Sequence, residues 1–540
     1  MTASKYILCR NFGPLAPSLR RLRFRQMIYL LAVISSRAEE SSLDLRKLDK
    51  KKIGLALGPI IFIIVMLIPE PQSMIDVAPA GNVLAPLIAL GMLLWILVWW
   101  VTECMPLGLA ALVIPLVFCM SGILEWDTAL SSFTNPIIWI FMAGFVLAAA
   151  FKKWELDRRV SVKLSSIYKG DNPMVAALFV ACLPVFLLTM MGSITASTSV
   201  VFPFLMAYLA MLGVKSNSRY STACMLAMAQ AATAGAMLFL ISTPPNLIAK
   251  NTISDIVPGF NLSFFDWLIV GTPFALIGLF ISWIVVFKLV KPEMKSLNVD
   301  AERCERAAKS LGRMSTGEKT VLAILFLAMT LWMLPSVFRV FAEGNPGLTE
   351  VSDLLSQVMP ESMPAVLVIL AIGLIKIKKE PVLRWNEIVG GIDWNVVFLF
   401  GGGIALGIGL GASGFANWIA DAASASLGTG ASEWMIFAVA SIIGFALSYV
   451  ASNTAAALIA CPIAAEIALG AGVSPIGPII GAGLACSIST ALPSTTPPMA
   501  IIYSSGYVRI WDMFKVGIVS DLLRLGVLIM IGPLLVGLIM

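Results

Sequence analysis

Long apolar runs separated by short polar stretches recur from residue 53 almost to the end of the chain. Roughly 20 helical residues, at about 1.5 Å each, cross a hydrocarbon core about 30 Å thick, and most of the runs approach that length. They are continuous, without the alternation of barrel strands, and lipid offers no partner to an unpaired backbone group. The pattern therefore predicts a helical membrane bundle. Uninterrupted spans are expected at about 53–68, 83–102, 106–121, 136–151, 266–289, 320–337, 363–375, 396–411 and 517–539. Two further spans carry polar breaks, "ISTPPNLIA" from Ile241 to Ala249 and "STTPPMAII" from Ser494 to Ile502. Two more apolar regions are interrupted at their centres, 174–212 by "GSITASTS" and a later one by "ASNT". The sum is an all-α polytopic membrane protein with about eleven transmembrane helices and two interrupted regions. The arms around "ASNT", near 434–448 and 455–470, are short for two crossings, which favours re-entrant hairpins, while loop charge alone leaves pairs of full spans open.

Loop charge orients the spans. Lys50 to Lys52 precede the first one, and the loop "PEPQSMIDVAPAGN" after it has no Lys or Arg. Counting onward, "KKWELDRR", "VKSNSR", the charged loop at 291–318, "KIKKEPVLR" and "VRIWDMFK" all fall on the inner side. The N-terminus is expected in the cytoplasm and the C-terminus outside, in a cell (inner) membrane.

Composition agrees, with 59% hydrophobic residues against 13% charged and a mean hydropathy of +0.92 over 540 residues. The net charge of +6 could suggest nucleic acid, but the basic residues sit in short loops between apolar runs, where they act as orientation signals, so no nucleic-acid partner is expected. Histidine is absent, which removes histidine bases, triads and metal ligands at once. The eight cysteines show no CxxC spacing and read as small reduced hydrophobes. No enzyme and no prosthetic group is expected. A channel is the other class that broken helices can build, and counterflow-competent saturable flux distinguishes a carrier from it. Residues 1–52 form a basic N-terminal segment. "LRRLRFRQ" before "MIYLLAVIS" has the order of a signal peptide and faintly that of a transit peptide, but about ten apolar residues cannot span. A basic cytoplasmic extension, or a true start at Met27, accounts for it as well.

The breaks occur twice. "SITASTSVVFP" from Ser193 matches "SNTAAALIACP" from Ser452 at an offset of 259, Gly144 in "FMAGFVLA" matches Gly403 in "FGGGIALG" at 259, and "TPPN" at Thr243 matches "TPPM" at Thr496 at 253. Three elements in one order imply two related halves, and the loop count makes them inverted in the membrane, a common plan of secondary transporters. Proline lacks an N–H and clashes with the preceding turn, so Thr243, Pro244 and Pro245 should end one half-helix and begin another. Freed carbonyls with Ser, Thr and Asn oxygens suit a hard cation such as Na⁺, and helix N-termini suit an anion. Ser452, Asn453 and Thr454 are good caps by type and would donate hydrogen bonds instead to a bound anion. No Lys or Arg lies in the four motifs, so an anion would be held by dipoles and neutral donors. Close packing or simple kinks explain any one motif, but not four in two copies.

At these residues the chain resembles the divalent anion/sodium symporter family of di- and tricarboxylate and sulfate carriers. The resemblance runs over about 50–540 and includes "WWVTECMPLGLAALVIPL", "FTNPIIWIFMAGFVLAAAFKKWELDRR", "DWNVVFLFGGGIALGIGLGASGFANWIA", "SNTAAALIACP" and "LPSTTPPMAIIYSSGYVRIWDM". It implies a homodimer in the lipid bilayer with scaffold parts at 53–165 and 319–415. Transport parts at 166–290 and 416–540 would slide as an elevator. It implies substrate contacts at Ser193, Thr195, Ser452, Asn453, Thr454, Thr243, Thr496 and Pro497, and Na⁺ contacts at Ser193, Ser242, Asn246, Ser448, Asn453 and Thr495. Ile194 and Met499 stand where the family pattern has Asn, and neither side chain can offer an oxygen. The expected function is secondary active transport of small divalent organic anions, C4-dicarboxylates such as succinate or malate, by Na⁺ symport. A Na⁺-independent exchanger and carriage of sulfate or tricarboxylates remain alternatives.

Four ionisable residues lie in or beside apolar runs. Glu103 and Asp393 read as helix-end residues, Glu466 follows the second tip without an assigned role, and Asp521 is spaced to pair with Arg524 on one helix face near the inner side. The tryptophans near 95–100 and Trp394 read as membrane-interface anchors.

Overall fold

The computed structural model describes residues 50–168, 170–216, 218–294, 296–297, 311–341, 358–360, 362–427, 431–493 and 495–540, together with 347, 350, 351 and 354. Residues 1–49 and the centre of the charged loop expected at 291–318 lie outside the described residues.

Helices account for nearly all regular structure among the described residues. They are α1 (Lys50–Met66), α2 (Ala85–Thr102), α3 (Pro136–Lys153), α4 (Pro173–Met191), α5 (Ile194–Met211), α6 (Arg219–Gly235), α7 (Pro244–Ile256) and α8 (Phe264–Val290). Then follow α9 (Thr316–Phe341), α10 (Ser362–Leu374), α11 (Trp394–Ala412), α12 (Glu433–Val450), α13 (Asn453–Gly470), α14 (Ile476–Ala485), α15 (Pro497–Ser504) and α16 (Ile510–Val536), besides shorter connecting helices. The starts are written in the sequence. Asn135 and Asn172 cap helices whose first residue is proline, each side chain accepting from a backbone amide two residues on. At Ser263 a capping box forms, Ser263 Oγ accepting from Asp266 N while Asp266 Oδ2 accepts from Ser263 N. Among the described residues ten helices are long and apolar enough to cross a membrane, and four of them, α4, α5, α12 and α13, are the arms of the two interrupted regions. The strands among the described residues are a two-residue pair, Lys376–Ile377 with Glu380–Pro381, inside the basic loop.

The chain divides into two compact units, one of the described residues up to Thr134 with Phe398–Ala422, the other Asn135–Val397 with Ala423–Met540. In the first, α1 lies along α2 because glycine removes side chains at the contact. A Cβ on Gly58 would fall 2.4 Å from Trp95, and one on Gly91 would fall 2.9 Å from Phe62. Trp95 packs on Phe62 and Trp99 with ring centroids 5.5 and 5.1 Å apart, and Trp99 Nε1 donates to Leu55 O. Trp95, Trp99 and Trp100 are therefore core residues, at 1%, 2% and 0% exposure, and not interface anchors as their sequence position suggested. Indole rings fill the space the glycines open. Trp394 stays exposed, and Glu103 and Asp393 are helix-end residues as expected. Glu103 is the left-handed residue closing α2, and Asp393 Oδ1 accepts from Asn395 N and Val396 N at the start of α11.

The second unit holds all four polar motifs. α12 packs on α14 so closely that a Cβ on Gly444 would lie 2.5 Å from Ala482 O. The second half-helices are exchanged between the copies. α7 packs on α13 and α14, helped by Gly483, whose Cβ would meet Ala249 at 2.8 Å, while α15 packs on α5 and α6. The internal repeat also extends further than the motifs. α8 and α16 are both 27 residues long, carry "DWLIVG" and "DMFKVG" at an offset of 246, and each sends its glycine against a break. A Cβ on Gly271 would lie 2.2 Å from Met237 O, and one on Gly517 would lie 2.4 Å from Ala491 Cα.

Candidate functional site

Both tips are helix N-termini of one design. Ser193 and Ser452 are the N-cap residues of α5 and α13, each 18 residues long, and each hydroxyl accepts from the amide three residues on, Ala196 N at 3.1 Å and Ala455 N at 3.3 Å. Each helix carries a proline ten residues after its cap, Pro203 and Pro462, so the alignment through Ser193 holds in three dimensions. Capping and anion binding are not alternatives here, because a hydroxyl that accepts from an amide still has its own proton to donate. Thr195 is exposed and Ser193, Ser452 and Thr454 are half-buried, whereas Asn453 is buried. Gly192, in the left-handed region at φ +83°, turns the chain into the first tip against Gly144 of α3, where a Cβ would lie 3.1 Å from Gly144 Cα.

The breaks are wider than the prolines alone predict. α6 stops at Gly235, with eight residues between it and the helix that begins at Pro244, and α14 stops at Ala485, well before Pro497. Thr243, Pro244 and Pro245 begin a half-helix but do not end one, since proline is tolerated at a first helical turn that has no use for its N–H. What ends α6 is packing. A Cβ on Gly235 would lie 2.8 Å from Phe186 O, and Thr189 Oγ1 donates to Gly235 O at 2.9 Å. Within the first break Asn246 Nδ2 donates to Ala236 O (2.7 Å) and Phe239 O (2.9 Å), Trp267 Nε1 donates to Met237 O (3.1 Å), and Phe239 N donates to Ser242 Oγ (3.3 Å). Asn246 Oδ1 is buried with no partner among the described residues.

The second break gathers oxygens. Ser448 Oγ, in the last turn of α12, lies 2.6 Å from Ser489 Oγ, 2.6 Å from Cys486 O and 2.9 Å from Asn453 Oδ1. Ser489 Oγ also reaches Ser448 O at 3.2 Å and Asn453 Oδ1 at 3.5 Å. Five oxygens, all neutral and all buried, thus face one another where the tip, the end of α12 and the break meet. Neutral hydroxyl, amide and carbonyl oxygens are hard ligands, the set a monovalent hard cation takes.

The structure brings Ser448 and Asn453 together, and Ser489 and the carbonyl of Cys486 join them. Sequence reasoning passed over both, although "CSIST", a hydroxyl-rich stretch inside an apolar run, was a signal. Thr495 Oγ1 donates to its own turn at Leu492 O, and Thr496 Oγ1 is buried with no partner among the described residues. In the first copy no hydrogen bond among the described residues ties Ser193 or Thr195 to Ser242, Thr243 or Asn246. Ile194 is the first residue of α5, 8% exposed, and its carbonyl takes the hydroxyls of Ser197 and Thr198. Asp521 and Arg524 attract each other electrostatically along α16, as their spacing suggested, but no direct hydrogen bond joins them among the described residues. Both are buried beside the second break and bond to other groups.

Because Gly517 touches backbone of that break, Gly517→Ala is expected to destabilise the purified protein by about 1–3 kcal/mol in thermal melting, the usual cost of overpacking. Gly526→Ala, on the same helix with open space at its Cβ, should fall within about 1 kcal/mol of wild type.

Known proteins carry the same arrangement of sequence. The family model for the sodium:sulfate symporter transmembrane region matches residues 49–539. The chain belongs to this family. The sodium-dependent dicarboxylate transporter SdcS of Staphylococcus saprophyticus is 30% identical over 523 residues, covering 95% of each chain. SdcS of Staphylococcus aureus strain USA300 is 29% identical over 492 residues, 89% of this chain and 90% of that one. Likeness to the solved structure of Neisseria gonorrhoeae MtrF is weaker, 13% identity and a TM-score of 0.47 over 77% of this chain and 83% of that one, and carries no argument. As a member of this family the protein is a multi-pass membrane transporter and not an enzyme.

Proposed function

We propose that the protein carries small divalent organic anions, C4-dicarboxylates such as succinate or malate, by Na⁺-coupled symport. The observation that carries this is the five-oxygen cluster of Ser448, Asn453, Ser489 and Cys486, together with the relatives named as sodium-dependent dicarboxylate transporters. The tips are the anion side of the site. α5 and α13 lack proline in their first turn, so the amides of Ile194, Thr195, Asn453 and Thr454 and the caps Ser193 and Ser452 can donate to carboxylates. α7 and α15 begin with two prolines each and have no N–H at either position, which makes the Thr243 and Thr496 motifs poorer anion sites and leaves Ser242, Asn246 and Thr495 as oxygen donors. An anion held only by neutral donors and dipoles is released readily, as turnover requires.

Ile194 is compatible with this division, because the first tip's contact to substrate runs through a backbone amide that isoleucine supplies as well as asparagine does. It does remove a side-chain oxygen from the first Na⁺ site, where Asn246 Oδ1 is the remaining amide oxygen. Ile194→Asn is therefore expected to lower the Na⁺ concentration for half-maximal uptake by about threefold to tenfold. Unchanged Na⁺ dependence would speak against a first site at that tip. We further propose a cytoplasmic N-terminus, a homodimer, and an elevator motion of the parts at 166–290 and 416–540 against those at 53–165 and 319–415.

The test is radiolabelled succinate uptake into proteoliposomes, with an inward Na⁺ gradient or with K⁺ in its place, and with or without internal succinate. Accumulation into empty vesicles that needs the Na⁺ gradient is the expected result. Uptake only into preloaded vesicles, indifferent to Na⁺, would make the protein an exchanger.

A further inference from the structure

We propose that Asp521 and Arg524 of α16 are positioning residues for the second oxygen cluster, taking over in this copy the role that Asn246 and Trp267 have in the first. The inference rests on the cluster being a Na⁺ site. The two hydroxyls that meet at 2.6 Å belong to Ser448 and Ser489, and the residue following each of them is held by the same carboxylate. Tyr449 Oη donates to Asp521 Oδ2 at 2.6 Å, and Thr490 donates twice, from N to Oδ2 and from Oγ1 to Oδ1, each at 2.6 Å. The residue before Ser489 is held from the other side, Arg524 Nη1 donating to Ile488 O at 3.3 Å. Ser489 is thus fixed between two gripped neighbours, and the end of α12 is tied to the break by one buried side chain.

The repeat explains why this copy needs the clamp. At the offset of 246 that relates α8 to α16, Asp521 stands where the first copy has Ala275 and Arg524 where it has Gly278. Conversely Met513 stands where Trp267 donates to the first break, and Met499 stands where Asn246 does. Each break contains carbonyls and amides freed from a helix and buried away from water, which cost free energy unless bonded. The first copy bonds them from an amide and an indole. The second has methionine at both positions and bonds them from Asp521 and Arg524. Met499 on this account is one half of an exchange of supports rather than a lost Na⁺ ligand. Arg524 Nη1 also donates to Thr233 Oγ1 near the end of α6 at 2.9 Å, so the clamp reaches the first copy's half-helix as well. Gly278 leaves it room, since a Cβ there would lie 3.2 Å from Arg524 Nε.

The test uses the full chain in proteoliposomes and reads two quantities, the Na⁺ concentration for half-maximal uptake and the succinate concentration for half-maximal uptake at saturating Na⁺. Residues that orient metal ligands typically change metal affinity about 10–100-fold when altered. Asp521→Asn is expected to raise the Na⁺ value about tenfold or more and the succinate value less than about twofold. Tyr449→Phe and Thr490→Val each remove a single hydroxyl donor and leave Asp521 with its two other hydrogen bonds, so they keep the test open if Asp521→Asn does not fold. Each should raise the Na⁺ value severalfold, and Thr490→Ser should restore it. Wild-type Na⁺ values in these variants, or equal changes in both quantities, overturn the inference. Ser489→Ala separates it from the reading beneath. If Ser489→Ala leaves the Na⁺ value unchanged, the cluster is not the Na⁺ site; if it raises that value and the clamp variants do not, only the clamp fails.

Discussion

Asn453→Ala abolishes transport, lowering succinate uptake about 100-fold or more at ordinary Na⁺ concentrations, while the protein still purifies as a folded species. A factor of 100 corresponds to about 2.7 kcal/mol. The side chain supplies the amide oxygen that joins the tip to Ser448 at 2.9 Å and to Ser489 at 3.5 Å, and its backbone amide lies at the first turn of α13. The fold survives because Ser448 Oγ keeps Cys486 O as an acceptor, so removing the amide leaves no donor stranded and costs about 1 kcal/mol. Uptake assays beside melting curves in detergent separate the two effects. Wild-type uptake by this variant would show that the second tip is not the binding site.

Arg159→Met is expected to cost about 3–5 kcal/mol, the usual penalty for leaving a buried carboxylate without its partner. Arg159 and Glu318 are both buried, 7% and 6% exposed, and meet through Arg159 Nε with Glu318 Oε1 and through Nη2 with Oε2. The same guanidinium donates to Gly312 O and Leu311 O at 3.0 Å, pinning the end of the charged loop to the start of α9. Ser315 N also donates to Glu318 Oε2. Adding Glu318→Met should return much of the loss, because a buried ion pair and an apolar pair of similar volume are often near parity. Thermal melting of the two single variants and the double variant checks this. A double variant no more stable than Arg159→Met alone would mean that the carbonyl contacts, and not the ion pair, carry the stabilisation.

The bundle was legible because apolar length alone separates a membrane helix from everything else in this chain, and the loops between helices are short. The tips were legible because Ser452, Asn453 and Thr454 are caps by residue type and the repeat places Ser193 opposite Ser452; the structure makes both serines N-caps. Where the breaks end was not legible. A proline announces the start of α7 and α15, but the end of α6 is decided by the contacts of Gly235 with Phe186 and Thr189, which lie some 46 residues or more away in sequence. The tryptophans misled for the same kind of reason. Indole is amphipathic and common at membrane interfaces, but Trp95 and Trp99 face Gly58, and only the pairing of α1 with α2 reveals the space they fill. Asp521 was read from its nearest charge in sequence, Arg524, whereas its partners Tyr449 and Thr490 are 72 and 31 residues away. The offset of 246 between "DWLIVG" and "DMFKVG" was present in the sequence and would have flagged both positions as places where the copies differ.

Equilibrium binding of ²²Na⁺ to the purified full-length protein, wild type beside Asn453→Ala and Ser489→Ala, tests the second oxygen cluster most directly. Saturable binding to wild type, displaced by unlabelled Na⁺ and not by K⁺, and weakened about tenfold or more in both variants, is the expected result. Binding to the two variants with wild-type affinity and stoichiometry would contradict it.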